Sequence, residues 1–155
     1  MSRAPAILFV CLGNICRSPL AEAAFRARAS AAGLAVTVDS AGTGGWHAGD
    51  PPDPRAQATA WRHGLDISGY RGRQVEEGDF ERFTHIFALD RANLKSLRQI
   101  APGTAPAELA LLLDLVTSLQ GQSVADPYYG GDEGFETTWR QVDAAAIALV
   151  ERLRA

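Results

Sequence analysis

Short apolar runs alternate along the chain with longer stretches whose apolar residues recur every three or four positions. The short runs are typical of strands that are buried on both faces, and we predict strands at residues 6–10, 36–38, 84–89 and 109–113. The longer stretches predict helices, and the last of them carries an apolar stripe of Trp139, Val142, Ala146, Leu149 and Leu153. Because strands that alternate with helices favour βαβ units, we predict an α/β fold with a parallel sheet and helices on both faces.

Capping residues mark where the predicted helices begin. Ser18, Asp53 and Asp90 each stand before a helical stretch, and proline follows the first two. Such side chains accept hydrogen bonds from the free amides of the first turn, and proline at the first helical position loses no bond. We expect Asp132 to cap the last helix. The stretches rich in glycine or turn residues predict irregular structure at 40–54, 68–79 and 121–134.

Length and charge exclude several classes of protein. The 155 residues predict one domain, 1–155. The net charge of −3 argues against non-specific binding of nucleic acid, which needs a basic surface. The longest uninterrupted apolar runs have seven residues, whereas a membrane span needs about 20. No signal-peptide pattern is present at the N-terminus, and two closely spaced cysteines do not make a disulfide scaffold. We therefore expect a cytoplasmic protein without a membrane partner.

A candidate site follows the first predicted strand. Cys11 directly follows this strand, and Arg17 lies six positions later, at the start of the next helix. A short loop above a helix N-terminus turns its backbone N–H groups inward, where they bind an anion with help from the helix dipole. Arg17 can add a planar, two-pronged donor for phosphate oxygens. We predict an oxyanion site formed by Arg17 and the amides of Leu12, Gly13, Asn14, Ile15 and Cys16.

Cys11 would lie at the floor of this site. The positive field that holds phosphate also favours a thiolate, so the loop would bind an oxyanion and present a nucleophile to it. The alternative interpretation is that Cys11 is a small apolar residue buried at the end of a strand. Its place between a predicted strand and a predicted helix start favours the nucleophile.

Two motifs give the sequence a resemblance to a known family. The first is Val10-Cys11-Leu12-Gly13-Asn14-Ile15-Cys16-Arg17-Ser18-Pro19, and the second is Asp126-Pro127-Tyr128-Tyr129. They resemble the phosphate loop and the general-acid loop of the low-molecular-weight protein-tyrosine phosphatases, and they occur in that family's order. The resemblance extends over nearly the whole chain. It implies a four-stranded parallel sheet flanked by helices, with the phosphate loop after the first strand.

The resemblance also implies catalytic roles. Cys11 attacks phosphorus and forms a phosphocysteine, while Arg17 and the loop amides hold the equatorial oxygens. Ser18 donates a hydrogen bond that steadies the thiolate. Asp126 protonates the leaving oxygen and then activates water. No cofactor and no metal is implied, because Arg17 and the amides supply the positive charge.

Further residues would support the phosphate loop. Asn14 and Ser40 resemble members of the family's network that holds the shape of the loop. We expect Asp90 to cap a helix, and the alternative is that its carboxylate orients Arg17 as well. Many members of the family have histidine where this chain has Tyr70, and a tyrosine hydroxyl does not titrate near neutral pH.

Aromatic residues and a second carboxylate offer alternatives around the general-acid loop. The resemblance places Tyr128 and Tyr129 at the mouth of the site, where they would enclose an aromatic leaving group; the alternative is plain packing. Trp46 is the candidate for the opposite wall, or it anchors its own loop. The alternative for Asp126, which precedes a proline, is that it only starts a turn. Asp132 is the rival acid, although a helix cap is the favoured interpretation.

The sequence gives less support for a functional role of Cys16 and of the histidines. Cys16 either packs under the loop or, as the family resemblance favours, pairs with Cys11 after oxidation and protects it. Histidines with no motif support are expected to be structural or on the surface, namely His47, His63 and His85.

The sequence therefore predicts a phosphatase that acts on phosphotyrosine in proteins and on aryl phosphates. We expect a monomer, with a phosphotyrosine-containing protein as substrate and a tyrosine kinase as a candidate partner. Two alternatives stay open. One is a thiol-dependent arsenate reductase on the same scaffold, although the chain has no cysteine after Cys16. The other is a phosphotyrosine-binding module without turnover.

Overall fold

The computed structural model describes residues 4–128 and 130–155. Within them the strands are β1 (Ala6–Cys11), β2 (Thr37–Gly42), β3 (His85–Ala88) and β4 (Glu108–Leu111). The α-helices are α1 (Arg17–Ala31), α2 (Pro54–Arg62), α3 (Asp79–Arg82), α4 (Arg91–Ile100) and α5 (Asp132–Arg154). Two 3₁₀ turns follow β4, at Leu112–Leu115 and Thr117–Leu119.

The strands form one parallel sheet in the order β2-β1-β3-β4, which confirms the predicted fold class. Strand β1 lies in the centre and is buried along its whole length. Its side chains alternate between two cores, because successive residues of a strand point to opposite faces. Phe9 packs in the core that includes residues of α1 and α5, whereas Leu8 packs with residues of α3 and α4.

The predicted apolar stripe of the last helix is also confirmed. Trp139, Val142, Ala146 and Leu149 are buried against the core of α1 and β1, and Leu153 is partly buried there. Helices α1 and α5 therefore cover one face of the sheet, as parallel sheets require.

Strand β2 is longer than the apolar pattern predicts. The predicted strand ends at residue 38, but pairing with β1 continues to Gly42. Ser40 and Gly42 lie opposite Phe9 and Cys11, so backbone pairing extends the strand where the side chains give no apolar pattern. A Cβ atom on Gly42 would lie 2.8 Å from the carbonyl oxygen of Leu12, so glycine is needed at this approach of two backbones.

The predicted helix starts are confirmed in two cases and wrong in two. Asp53 accepts a hydrogen bond from the N–H of Arg55, and Asp90 accepts one from the N–H of Asn93. Ser18 does not cap α1, because Cys16 occupies the capping position and Ser18 lies inside the first turn. Asp132 does not cap α5 either, since Gly131 takes that position and Asp132 is the first helical residue. The sequence pattern did not predict the short α3.

Candidate active site

The sulfur of Cys11 lies at the carboxyl end of the central strand, beneath the loop that leads into α1. The residue is 3 % exposed. Its Sγ atom lies 3.0 Å from Oγ of Ser18, and it accepts a hydrogen bond from the backbone N–H of Asn14 at 3.3 Å. Ser18 thus contacts the sulfur instead of capping the helix. The N–H of Asn14 therefore points at the Cys11 sulfur, and the hydroxyl of Ser18 lies within hydrogen-bonding distance of it.

Asn14 holds the hydroxyl of Ser18 beside the sulfur, and toward a thiolate this hydroxyl can only donate. Its Nδ2 atom donates to Oγ of Ser18 at 2.7 Å and to Oγ of Ser40 at 3.0 Å, while its Oδ1 accepts from the backbone N–H of Arg73. Because Ser18 already accepts from Asn14, its own proton is available for the sulfur of Cys11. Asn14 has a φ of 60°, a left-handed conformation that asparagine tolerates better than most residues.

The chain of hydrogen bonds ends on a buried carboxylate. Ser40 donates from Oγ to Oε1 of Glu22 at 2.7 Å, and Glu22 is 5 % exposed. Arg26, one turn further along α1, donates to Oε2 of Glu22. Burial raises the pKa of Glu22, although the hydrogen bonds from Ser40 and Arg26 oppose that rise. The phosphate loop is thereby tied to α1 and β2.

Other amides of the loop are open to a ligand. Among residues 4–128 and 130–155, no acceptor is found for the backbone N–H groups of Leu12, Gly13, Ile15 and Cys16. Unpaired N–H groups at a helix N-terminus suit an anion. The loop therefore has the donors that an oxyanion needs.

Arg17 is buried and held at the side of the site. Its side chain is 4 % exposed, and Nη1 donates to Oδ2 of Asp90 at 2.7 Å and to the carbonyl oxygen of Val124 at 3.0 Å. Its Nη2 atom lies 3.6 Å from Oδ2 of Asp126. Burial by itself would lower the pKa of Arg17, but the charges of Cys11, Asp90 and Asp126 outweigh this effect and raise it. Arg17 is thus a fixed positive charge beside the sulfur.

A cleft of about 230 Å³ opens above Cys11 and Arg17. Its outer walls are Leu12, Trp46 and Tyr128, which are all exposed; Trp46 is 73 % exposed. Trp46 and Tyr128, two of the candidate substrate-binding residues, thus line the cleft, whereas Tyr129 lies outside the described residues.

Asp126, and not Asp132, lines this cleft. The Oδ1 atom of Asp126 accepts a hydrogen bond from the backbone N–H of Tyr128 at 3.1 Å, and the side chain is 42 % exposed. Asp132 instead lies on α5 in a separate surface groove with Arg62 and Glu136. The rival carboxylate is therefore away from the cleft.

Cys16 is a second buried thiol in the lining of the cleft. Both cysteines are free in this structure. Burial raises the pKa of Cys16 far above its usual range, and the charges of Asp53 and Cys11 add to the rise. Cys16 is therefore a thiol at neutral pH.

Sequence reasoning missed several residues that shape the site. His47 lines the cleft, although it was expected to be structural or on the surface. Arg73 holds Asn14 through its backbone, and Glu22 holds Ser40. One pattern could have revealed Glu22, because Ser18, Glu22 and Arg26 are spaced by four residues and form a polar line along α1.

Neither a metal cluster nor a membrane-spanning helix is present in the described ranges, 4–128 and 130–155. Within them no group of three or more His, Cys, Asp or Glu side chains is arranged to hold a metal ion. No helix in the same ranges combines the length and the apolar character that a membrane crossing requires.

Comparisons with known proteins agree with the geometry. The family model for low molecular weight phosphotyrosine protein phosphatase matches residues 6–155. A low molecular weight protein-tyrosine-phosphatase of Streptomyces coelicolor is 44% identical over 153 residues, which cover 96% of this chain and 93% of that protein.

Solved structures give the same result. The crystal structure of YfkJ from Bacillus subtilis superposes with a TM-score of 0.91 at 39% identity, over 99% of this chain and 96% of that one. The Drosophila arginine phosphatase superposes with a TM-score of 0.91 at 31% identity, over 96% and 98%. The phosphate loop, the sheet that carries it and these matches together place the chain in the low molecular weight phosphotyrosine protein phosphatase family.

Proposed function

We propose that this chain, residues 1–155, is one phosphatase domain that hydrolyses phosphotyrosine in proteins through a phosphocysteine. One observation carries the proposal. The sulfur of Cys11 accepts hydrogen bonds at the base of a cleft that has Arg17 at its side and Asp126 in its lining. Nucleophile, oxyanion donors and a candidate proton donor thus all face one cleft in which a phosphate can bind, as phosphoryl transfer requires.

In the first step the thiolate of Cys11 attacks phosphorus. The S–P bond forms while the bond between phosphorus and the phenolic oxygen breaks, and the electron pair of that bond passes to the oxygen. Asp126 gives its proton to this oxygen, so a neutral phenol leaves. Arg17 and the open amides of the loop stabilise the charge on the three equatorial oxygens.

In the second step water attacks the phosphorus of the phosphocysteine. Asp126, now a carboxylate, takes a proton from this water, and the electron pair of the S–P bond returns to Cys11. The hydrogen bonds from Ser18 and from the N–H of Asn14 stabilise the departing thiolate. Inorganic phosphate is released, and Cys11 is ready for another cycle.

The walls of the cleft favour an aryl phosphate. Trp46 and Tyr128 offer aromatic surface on which a phenyl ring can pack. This supports phosphotyrosine over phosphoserine, which has no ring. Phosphoarginine is the second candidate substrate, because one of the matching solved structures is the Drosophila arginine phosphatase and a guanidinium plane can also stack on these rings. We further propose a monomer in the cytoplasm, with a tyrosine kinase among its substrates.

The proposal is tested by hydrolysis of 4-nitrophenyl phosphate, of a phosphotyrosine peptide and of phosphoarginine. We expect turnover of the first two, and no turnover after Cys11→Ser, while inorganic vanadate still binds to that variant. Turnover by Cys11→Ser would remove Cys11 as the nucleophile. Binding of the phosphopeptide without turnover by the wild type would instead favour a binding module. Arsenate-dependent oxidation of an added thiol in place of phosphatase activity would favour the reductase.

A further inference from the structure

Arg55, the second residue of α2, lies against the segment that carries Asp126. Its guanidinium carbon is 5.4 Å from the centre of the Tyr128 ring and 4.9 Å from that of Phe135. Its Nη1 atom donates to the carbonyl oxygen of Gly130 at 3.2 Å. A planar cation can stack on aromatic rings and donate hydrogen bonds from its edge in the same pose. Arg55 therefore contacts both a side chain and the backbone of this region.

The same guanidinium is fixed from the other side by Asp53. Nε and Nη2 of Arg55 donate to the two oxygens of the Asp53 carboxylate at 3.1 and 3.0 Å. The backbone N–H of Asp53 donates in turn to the carbonyl oxygen of Ile15, within the phosphate loop. A two-pronged pair of this kind holds the plane of the guanidinium in one orientation. Arg55 is thus anchored to the loop that would bind phosphate.

The acid segment (residues 125–128) has a different anchor at its beginning. Oγ1 of Thr138, on α5, donates to the carbonyl oxygen of Ala125 at 3.4 Å. At the end of the segment Tyr128 packs on Arg55, and the N–H of Tyr128 donates to the Asp126 carboxylate. Two contacts therefore link Arg55 to this segment: its stacking on Tyr128, and its hydrogen bond to Gly130, whose N–H donates to the carbonyl oxygen of Pro127.

We propose that Arg55 is a positioning residue that sets the place of Asp126 relative to the phosphate loop. It acts through Tyr128 and Gly130 and touches neither the phosphate nor the leaving group. The proposal rests on the proposed function, in which Asp126 protonates the leaving oxygen. A displaced acid slows the reaction most when the leaving group is a poor one, because a good leaving group departs without a proton.

The test compares Arg55→Lys with Arg62→Lys. Lysine keeps the charge of Arg55 but loses the plane that stacks on Tyr128 and the fork that matches Asp53. Arg62 lies on the same helix and pairs with Glu136 of α5, but it is not in the lining of the cleft above Cys11. For Arg55→Lys, we expect kcat/KM to fall about tenfold with phenyl phosphate and less than about twofold with 4-nitrophenyl phosphate.

Two further measurements separate positioning from general damage. The inhibition constant of inorganic phosphate should be unchanged in Arg55→Lys, because Cys11 and Arg17 are untouched. The midpoint of thermal unfolding should match that of Arg62→Lys, which should show wild-type kinetics. Should Arg55→Lys not fold, Arg55→Gln gives the same comparison, since it keeps a donor for Gly130 and also loses the stacking plane.

Three results would overturn the proposal for Arg55: an equal loss with both substrates, a weakened inhibition by phosphate, or the same selective loss in Arg62→Lys. Failure of the proposed function would give a different result, because the wild type itself would then hydrolyse neither ester. A selective loss that appears in the Arg55 variants alone supports the positioning role.

Discussion

Asp90 binds Arg17 with one carboxylate oxygen and caps α4 with the other. Oδ2 accepts from Nη1 of Arg17 at 2.7 Å, and Oδ1 accepts from the N–H of Asn93 at 2.7 Å. Both interpretations of Asp90 from the sequence are thus present as contacts in one side chain. The end of β3 and the start of α4 thereby hold the guanidinium that lies beside Cys11.

Substitutions of Asp90 should separate the two contacts. Asp90→Asn keeps a capping oxygen but places an amide without charge against the buried guanidinium of Arg17. We therefore expect a loss of about tenfold in kcat/KM and of about 3 kcal/mol of unfolding free energy. Asp90→Ala should lose about the same activity and a further ~1 kcal/mol of unfolding free energy from the missing cap. Urea unfolding and hydrolysis of 4-nitrophenyl phosphate measure the two effects. Full activity in Asp90→Asn would show that Arg17 does not need this partner.

Cys16 is predicted to protect Cys11 from irreversible oxidation. Burial, and after it the charges of Asp53 and Cys11, hold the pKa of Cys16 far above its usual range, so Cys16 is a thiol beside Cys11. When peroxide converts Cys11 to a sulfenic acid, an S–S bond with Cys16 forms as the sulfenic oxygen and the thiol proton leave as water. After treatment with hydrogen peroxide and then dithiothreitol, the wild type should recover most of its activity. Cys16→Ser should recover less, since its oxidised Cys11 proceeds to the sulfinic acid. Equal recovery of the two proteins would leave Cys16 as a packing residue only.

Tyr70 should make no contribution to the pH dependence of activity near neutrality. Burial, followed by the charge of Glu22, raises the pKa of Tyr70 to about 12, so the phenol is neutral over the working range. Because the pKa of Tyr70 is higher in the folded than in the unfolded protein, its neutral phenol stabilises the fold below the unfolded pKa of about 10. This stabilisation is lost as the pH rises through the folded pKa. Tyr70→Phe should therefore keep the pH profile of kcat/KM between pH 5 and about 9.

The same variant should differ from the wild type in alkali. Above pH of about 10 the stability of the wild type should fall more steeply than that of Tyr70→Phe, which has no phenol to ionise. Urea unfolding at a series of pH values measures this difference. A parallel fall of the two proteins would contradict the raised pKa.

The side chain of Asp79 is fully buried, and its carboxylate is predicted to stabilise the fold. Burial alone would raise its pKa, but hydrogen bonds from Arg73, from the N–H of Glu76 and from Arg82 lower it. This stability is present above the unfolded pKa of about 3.9 and is lost as the pH falls through the folded value.

The substitution Asp79→Asn should therefore cost about 3 kcal/mol of unfolding free energy at neutral pH, because it leaves Arg73 without its buried partner. The difference from the wild type should narrow below about pH 4. The exposed Glu77, two residues before this helix, gives the control Glu77→Gln. A difference that does not change with pH would show that packing, and not charge, accounts for the loss.

Local patterns predicted the parts of the molecule whose contacts are close in sequence. The run from Val10 to Pro19 predicts strand, anion-binding loop and helix, because the loop amides and Arg17 act within one turn of chain. The caps at Asp53 and Asp90 were predicted for the same reason. Ser18 shows where prediction from local patterns fails. Its hydroxyl had two partners within reach, the helix amides and the sulfur of Cys11, and the pattern alone favoured the helix amides.

Contacts between distant segments could not be predicted in this way. Arg73 holds Asn14, and Arg55 contacts Tyr128, but neither pair shows any regular spacing along the chain. The extension of β2 to Gly42 also depends on pairing with β1. In these cases the partner is brought close only by the folding of the sheet.

The amino-acid sequence by itself determined the chemistry of this protein: a cysteine, an arginine and a set of backbone amides that converge on one anion, because a strand, a short loop and a helix are consecutive. The tertiary structure decided which carboxylate lines the cleft above Cys11. Asp126 and Asp132 are equivalent in chemistry, and only the packing of the chain around the carboxyl ends of the strands places Asp126 in the cleft and Asp132 outside it.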